Sequence, residues 1–436
     1  MPQLKQLARE IFHATLAAID IPATMQRKLQ RKGALLRCGD TTIDLHHFDK
    51  LRVVAIGKAA HAMVDGLTLV LSPFVRLEGV VSAPTAGRKP LAGLKYFVAG
   101  HPTPNAESWK AAEAILSLLK KSDEKTLVFF LLSGGASALV ELPLDPTQTL
   151  EDIQQMHRAL VTCGAPIEAI NTVRKHISAV KGGRLAAAAP QATKITLAVS
   201  DVPVGKESAL ASGPTLPDPT TVAETKRIIA EYSLLEKFSP ALEHWLDKTT
   251  MPETPKSDAT AFRNSLFLLL LGVDDLFHPA HREAEAKGFV VCCDNTTDEW
   301  PVEKASEYLL EQLEALRSTH QGRKVALIAD GEVSSPVTGN GVGGRNAAFV
   351  LACAEKISGK RIAVLSAGTD GIDGNSPAAG AVADGETLAR AQAMGLDPAD
   401  ASKRSDAFTF FSRLGDAIVT GPTGNNLRDL RILMAP

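Results

Sequence analysis

Short apolar runs rich in β-branched residues alternate along the chain with stretches whose apolar positions recur every three to four residues. The runs at 53–56, 79–81, 96–98 and 126–132 read as strands, and 59–70 and 106–120 between them read as helices. That alternation predicts βαβ units and a mainly parallel sheet covered by helices. From Ile167 onward, Ile170, Val173, Ile177 and Val180 keep the helical spacing, and Gly182-Gly183 marks a turn near its end. A strand over 193–200 follows.

A second alternating series occupies the rest of the chain, with strands at 266–271, 289–291, 324–329 and 361–365 and helices over 278–287, 302–316 and 345–357. Ahead of it, residues 248–258 carry Thr249, Thr250, Pro252, Thr254, Pro255 and Ser257, the composition expected of an inter-domain connection. The pattern therefore predicts an α/β protein of two domains, 1–247 and 248–436.

Composition narrows the function classes. The 436 residues carry 47 Lys and Arg against 49 Asp and Glu, and 45% are hydrophobic. Such a chain can bury two or three cores, which excludes disorder as its main state. The near-neutral balance argues against a nucleic-acid binder, which needs a broad basic face. Leu4, Leu7, Ile11 and Phe12 fall on one helical face, so the N-terminus does not read as a secretion signal. The longest apolar run, 266–273, falls far short of the roughly 20 residues that span a bilayer. Five scattered cysteines without metal or redox spacing read as reduced thiols, and a cytoplasmic location is expected.

The candidate chemistry sits where strands run into glycine and small polar residues, the places at which open α/β sheets hold ligands. Gly57-Lys58 can offer backbone N–H groups and an ammonium to an anion, although Arg52 and Ala59 exclude a Walker A loop. Ser133-Gly134-Gly135-Ala136-Ser137 can wrap a phosphate or carboxylate, or serve only as a tight turn. In the helix that carries Asn171, Arg174, Ser178 and Lys181 fall on one face, so two cations could converge on one anion or simply face solvent. Asp201 closes a strand and suits a Mg2+ ligand, a hydroxyl partner or an Asx turn.

In the second half, Gly339, Gly341 and Gly344 fit G-x-G-x-x-G, but no apolar strand runs directly into the first glycine. What remains is a glycine-rich helix start with Gly343, Gly344, Arg345 and Asn346. Asp370 and Asp373 on a glycine loop suit Mg2+ held partly by water. Anion cradles, cations and carboxylates spread over two domains are what phosphoryl transfer requires.

At these residues the chain resembles the MOFRL-type glycerate kinases, the glycerate 2-kinase family, over nearly its whole length. The likeness rests on Val54-Ala55-Ile56-Gly57-Lys58-Ala59, Gly100-His101-Pro102-Thr103-Pro104, the 133–139 turn, Asn171 to His176 with Lys181-Gly182-Gly183, and Ser200-Asp201-Val202. It continues through Ser212-Gly213-Pro214-Thr215, Gly343-Gly344-Arg345-Asn346, Thr369-Asp370-Gly371-Ile372-Asp373-Gly374 and Gly421-Pro422-Thr423-Gly424. Where the family commonly has Gln-Glu after Gly-Gly-Arg-Asn, this chain has Ala347-Ala348; where it has Thr-Asp after the glycine loop, Ser376-Pro377 stand nearby.

The resemblance implies a Rossmann-like N-terminal domain, a C-terminal α/β domain of the MOFRL type and a site in the cleft between them. It also implies ATP-dependent phosphorylation of D-glycerate at the 2-hydroxyl, with Mg2+ or a similar divalent ion. Lys58 and Arg345 match the family's suspected catalytic lysine and arginine. On this reading Asp201 joins them in catalysis, and Ser133, Gly134, Gly135, Ser137, Asn171, Arg174, Lys181, Gly343, Gly344 and Asn346 bind substrate or nucleotide. Asp370 and Asp373 hold the metal. The partners are glycerate and ATP, without nucleic acid or membrane, and a homodimer stays open. The runner-up is an NAD(P)H-dependent hydroxypyruvate reductase, which needs the 339–344 loop to be a dinucleotide site.

Overall fold

The computed structural model describes residues 2–72, 76–87, 90–200, 202, 207–425 and 427–436. The chain folds as two compact units, one of residues 21–270 and one that joins residues 1–20 to 271–436.

The unit of residues 21–270 begins with a small antiparallel sheet of β1 (Leu29–Lys32), β2 (Leu35–Cys38) and β3 (Thr41–Asp44). Its main sheet contains β4 (Lys50–Ile56), β5 (Leu77–Ala83), β6 (Leu94–Val98), β7 (Thr126–Leu132), β8 (Thr193–Val199) and β9 (Ser265–Leu271), in the order β6-β5-β4-β7-β8-β9. The four pairings from β6 to β8 are parallel. All seven residues of β7 and six of seven in β4 are buried, as expected of strands covered on both faces. Two of the crossover helices begin at side-chain caps: Asn105 accepts from the Ser108 N–H and Thr149 from the Asp152 N–H, each in a capping box. From β4 the chain winds outward through β5 to β6, then returns to β7 on the other side of β4. Strand order thus reverses between β4 and β7, and their carboxyl ends open a crevice there.

The 248–258 segment is not a linker. Met251 and Thr254 are buried, Met251 packs with Ile228, Leu242 and Leu246, and the Pro255 carbonyl accepts the Asp218 N–H. The unit runs on through β9, which extends the first sheet rather than opening the second. The expected division at 247/248 thus gives way to divisions at 20/21 and 270/271, because these apolar residues and β9 are buried with the preceding helices and sheet.

The other unit contains β10 (Val290–Asp294), β11 (Val325–Asp330), β12 (Ala363–Gly368), β13 (Gly380–Asp384), β14 (Ala417–Ile418) and β15 (Asp429–Ala435), ordered β10-β11-β15-β12-β13-β14. Only β10 and β11 run parallel. The final strand β15 returns antiparallel between β11 and β12, so this α/β domain has a mixed sheet. The N-terminal helix Pro2–Ala18 belongs here, with Leu4, Ala8, Ile11 and Phe12 buried. Arg431 of β15, fully buried, donates to the Asp330 and Gly331 carbonyls and ties the sheet centre to the turn after β11. No helix among the described residues is long and apolar enough to cross a membrane.

Because β15 is central, deleting residues 429–436 should abolish folding of this unit. Leu430, Ile432, Leu433 and Met434 are wholly buried. At about 1.5–3 kcal/mol each, their burial rivals the entire stability of a domain. Limited proteolysis should then degrade residues 271–428 rapidly while a fragment close to 21–270 persists.

Candidate functional site

The first cluster forms at the crevice between β4 and β7. Gly57 adopts φ +133°, and a Cβ there would stand 2.0 Å from Ser133 Oγ, so only glycine allows the two turns to approach this closely. The Lys58 N–H donates to the Gly134 carbonyl, and the Ala59 N–H donates to Ser133 Oγ at 3.0 Å. The expected cradle is therefore partly filled by its own chain. Ser133 is buried and caps the turn that carries Lys58, rather than reaching a ligand.

Gly135, at φ +83°, opens a short helical turn and packs against the ring of His101 and the stem of Lys58. Ser137 Oγ pairs with Ser212 Oγ at 3.0 Å, and Ser212 donates to Asn171 Oδ1 at 3.0 Å. Ser137 and Asn171 thus belong to one polar chain through Ser212. Ala211 and Ser212 hold left-handed backbone at φ +54° and +58°, a costly conformation for non-glycine residues that recurs at functional loops.

Arg174 and Lys181 separate. The helix Ile167–Ile177 stops before Ser178, which is extended, so Lys181 is not on the helix of Arg174. Lys181 is wholly buried with its Nζ 2.5 Å from Glu141 Oε2, while His157 Nε2 and Ser178 Oγ reach the same carboxylate at 3.0 and 2.6 Å. Burial alone would raise the Glu141 pKa; the Lys181 ammonium and the His157 hydrogen bond overcome it and hold the group at about 2. Lys181 is thus the internal counterion of Glu141, not an open ligand group. Arg174 keeps a buried Nε without a hydrogen-bond partner. Asp201 lies outside the described residues.

The second cluster gathers where the turns after β11 and β12 meet the start of the helix Arg345–Lys356. Arg345 Nε and Nη2 bond Asp429 at 2.6 and 3.4 Å, and Nη1 lies 2.7 Å from Glu332. Burial disfavours the guanidinium charge, but Asp429 and Glu332 outweigh it and raise the Arg345 pKa. Asp429 is buried and fixes the guanidinium plane, whereas Glu332 is about half exposed.

Gly343 donates its N–H to Asn375 Oδ1, and a Cβ on Gly344 would stand 2.3 Å from Asp373 Oδ1. The Asn346 side chain is buried between Asp373 and Ser366.

Asp373 is the clearest departure from the sequence-based expectation. Its Oδ1 accepts the Asn346 N–H and its Oδ2 the Ala347 N–H, both at 2.9 Å, so the carboxylate caps the helix. Burial pushes its pKa up to about 6 despite those donors. Both oxygens are committed, and Asp370 spends one oxygen on the Ile372 N–H. The pair does not fit a Mg2+ ion, and among the described residues no group of three or more His, Cys, Asp or Glu side chains could hold a metal. The 339–344 loop is no dinucleotide turn either. Strand β11 ends at Asp330, and Gly339 and Gly341 pack on the Arg404 backbone.

Sequence reasoning missed Asp429, Glu141, Asn375 and the linking role of Ser212. Asp429 carried one local signal, an acid opening the apolar strand at 429–435.

The fold is that of a two-unit α/β protein with one candidate cation at a strand-end cluster in each unit. Residues 7–247 match the model of a domain of unknown function, DUF4147, and residues 325–429 match that of the MOFRL family. The chain is 34% identical to the D-glycerate 2-kinase of Thermotoga maritima over 98% of both proteins, and 34% identical to the glycerate 2-kinase of Pyrococcus horikoshii over 88% of this chain and 87% of that one. A crystal structure of glycerate kinase from Thermotoga maritima superposes with a TM-score of 0.85 at 33% identity, covering both chains fully. The chain belongs to the MOFRL-type glycerate kinase family.

Two outcomes separate these assignments. Replacing Lys181 with Met should cost about 3–5 kcal/mol in urea unfolding, the scale of stranding a buried charge, while leaving KM unchanged. The Glu141 contribution is present above its ordinary pKa of 4.5 and is lost as pH falls toward 2. For Asp373 the sign is opposite. Its folded pKa of about 6 exceeds the ordinary 3.8, so wild-type stability relative to Asp373→Asn should fall as pH rises from about 4 through 6.

Proposed function

We propose that this protein transfers the γ-phosphoryl group of ATP to the 2-hydroxyl of D-glycerate, giving 2-phosphoglycerate and ADP. The observation that carries the reading is the full-length likeness to a D-glycerate 2-kinase, joined to a lysine held at the topological switch point of the first sheet. Phosphoryl transfer needs little covalent chemistry from the protein; positioning and charge stabilisation suffice.

In this mechanism Lys58 and Arg345 stabilise the charge that develops on the transferred group and on the substrate carboxylate. Arg345 acts by exchanging its half-exposed partner Glu332 for the ligand while Asp429 keeps the guanidinium oriented. Asp201 orients the attacking hydroxyl. Main-chain groups of the 134–137 turn, with Ser137 and Asn171, border the anionic part of a ligand. A cytoplasmic location belongs to the same reading.

A coupled assay tests it. ADP release dependent on D-glycerate is expected, and Lys58→Ala and Arg345→Ala should each lower turnover by about 100-fold or more, the scale of removing one preorganised charge stabiliser. Near-normal turnover in both variants would overturn the assignment. Oxidation of NAD(P)H with hydroxypyruvate and no ADP release would establish a reductase instead.

A further inference from the structure

The motif Gly100-His101-Pro102-Thr103-Pro104 takes no part in the mechanism above, yet the fold brings its histidine to the lysine. His101 follows β6, at the same carboxyl edge of the sheet as Lys58 and the 133–137 turn. A Cβ on Gly135 would stand 2.9 Å from His101 Cδ2, 3.0 Å from Nε2 and 3.5 Å from Lys58 Cγ, so one glycine is flanked by both side chains. His101 as a whole is exposed to solvent. On the turn itself Ser133 is engaged with Ala59 and Ser137 with Ser212.

We propose that His101 is the proton acceptor of the reaction: its imidazole, set beside Lys58 over Gly135, takes the proton of the substrate 2-hydroxyl at Nε2. This assignment rests on the kinase reading. The step balances within the reaction. The hydroxyl O–H bond breaks and its proton passes to Nε2, the hydroxyl oxygen forms a bond to the γ-phosphorus, and the bond from that phosphorus to the β,γ-bridging oxygen breaks with its electron pair leaving on ADP.

The electrostatics favour a base there. Partial burial and the Lys58 charge both hold the His101 pKa below its ordinary 6.5, which favours the neutral imidazole at pH 7. Lys58 is the charged side chain that acts on the ring from the turn after β4; the 133–137 turn brings none. A neutral acceptor beside a fixed cation suits this chemistry, because the lysine attracts the anionic reactant while keeping the base unprotonated.

The test compares pH profiles of kcat/KM for D-glycerate in the wild-type enzyme, His101→Gln and His101→Ala. The nucleotide's own titration is common to all three, so a difference between profiles reports the histidine. The expected result is a turnover loss of about 100-fold or more in both variants, with the wild-type acidic limb attributable to a group below 6.5 missing from each. Imidazole NMR adds a readout independent of activity: Lys58→Ala should raise the His101 pKa toward 6.5. Activity in the wild type with undiminished kcat and an unchanged acidic limb in the variants overturns the role of His101 alone. Absence of glycerate-dependent ADP release from the wild type overturns the kinase reading and this assignment with it.

Discussion

The first turns of helices carry N–H groups that no helical carbonyl can reach, and this chain satisfies two critical sets of them with its own side chains. At the turn after β4 the acceptor is Ser133 Oγ, which takes the Ala59 N–H. At the helix Arg345–Lys356 it is Asp373, which takes two N–H groups. Both turns lie at strand ends where such amides could bind anions. Because they are already partly occupied, the proposed reaction assigns attraction for a phosphorylated ligand to side chains, above all Lys58 and Arg345.

The same economy decides which charges are available. Lys181, Lys175 and Arg431 are buried, the first two against Glu141 and Asp218 and the third against backbone carbonyls. Such groups hold segments together and are lost to ligand binding, since removing their partners would strand a charge in a dry interior. Lys58 stands at the mouth of the crevice, and Arg345 keeps one half-exposed partner. Partial exposure at a strand end therefore separates the cations proposed for function from the structural ones better than residue type does.

The β-branched runs and helical spacing gave the strands β4 to β12 in order, but not β1 to β3 or the helices Leu150–Thr162, Val222–Glu231 and Pro240–Lys248, and the strand at 126–132 coincides with β7 residue for residue. Local rules suffice there, since a seven-residue apolar run bounded by turn formers has few alternatives in an α/β chain. The 248–258 segment failed for the converse reason. Its Pro and Thr residues look like a linker, but Met251 and Thr254 are buried, Met251 in the apolar cluster formed by the helices that precede it. Placement of β15 between β11 and β12 was equally hidden, because strand order depends on where a returning chain can bury both faces of a strand.

The sequence by itself determined the α/β class, the glycine turns at strand ends and the family. These follow from periodicity and from motifs that are continuous in the chain. Tertiary structure alone decided that Asp373 caps a helix instead of facing a metal, that Lys181 is the counterion of Glu141, that Asp429 orients Arg345, and that His101 lies beside Lys58. Each of those pairs joins residues 27 to 84 positions apart, or, for His101 and Lys58, residues on different strand-end loops. Charges and hydrogen bonds act over a few ångströms of space, and only the folded chain sets those separations.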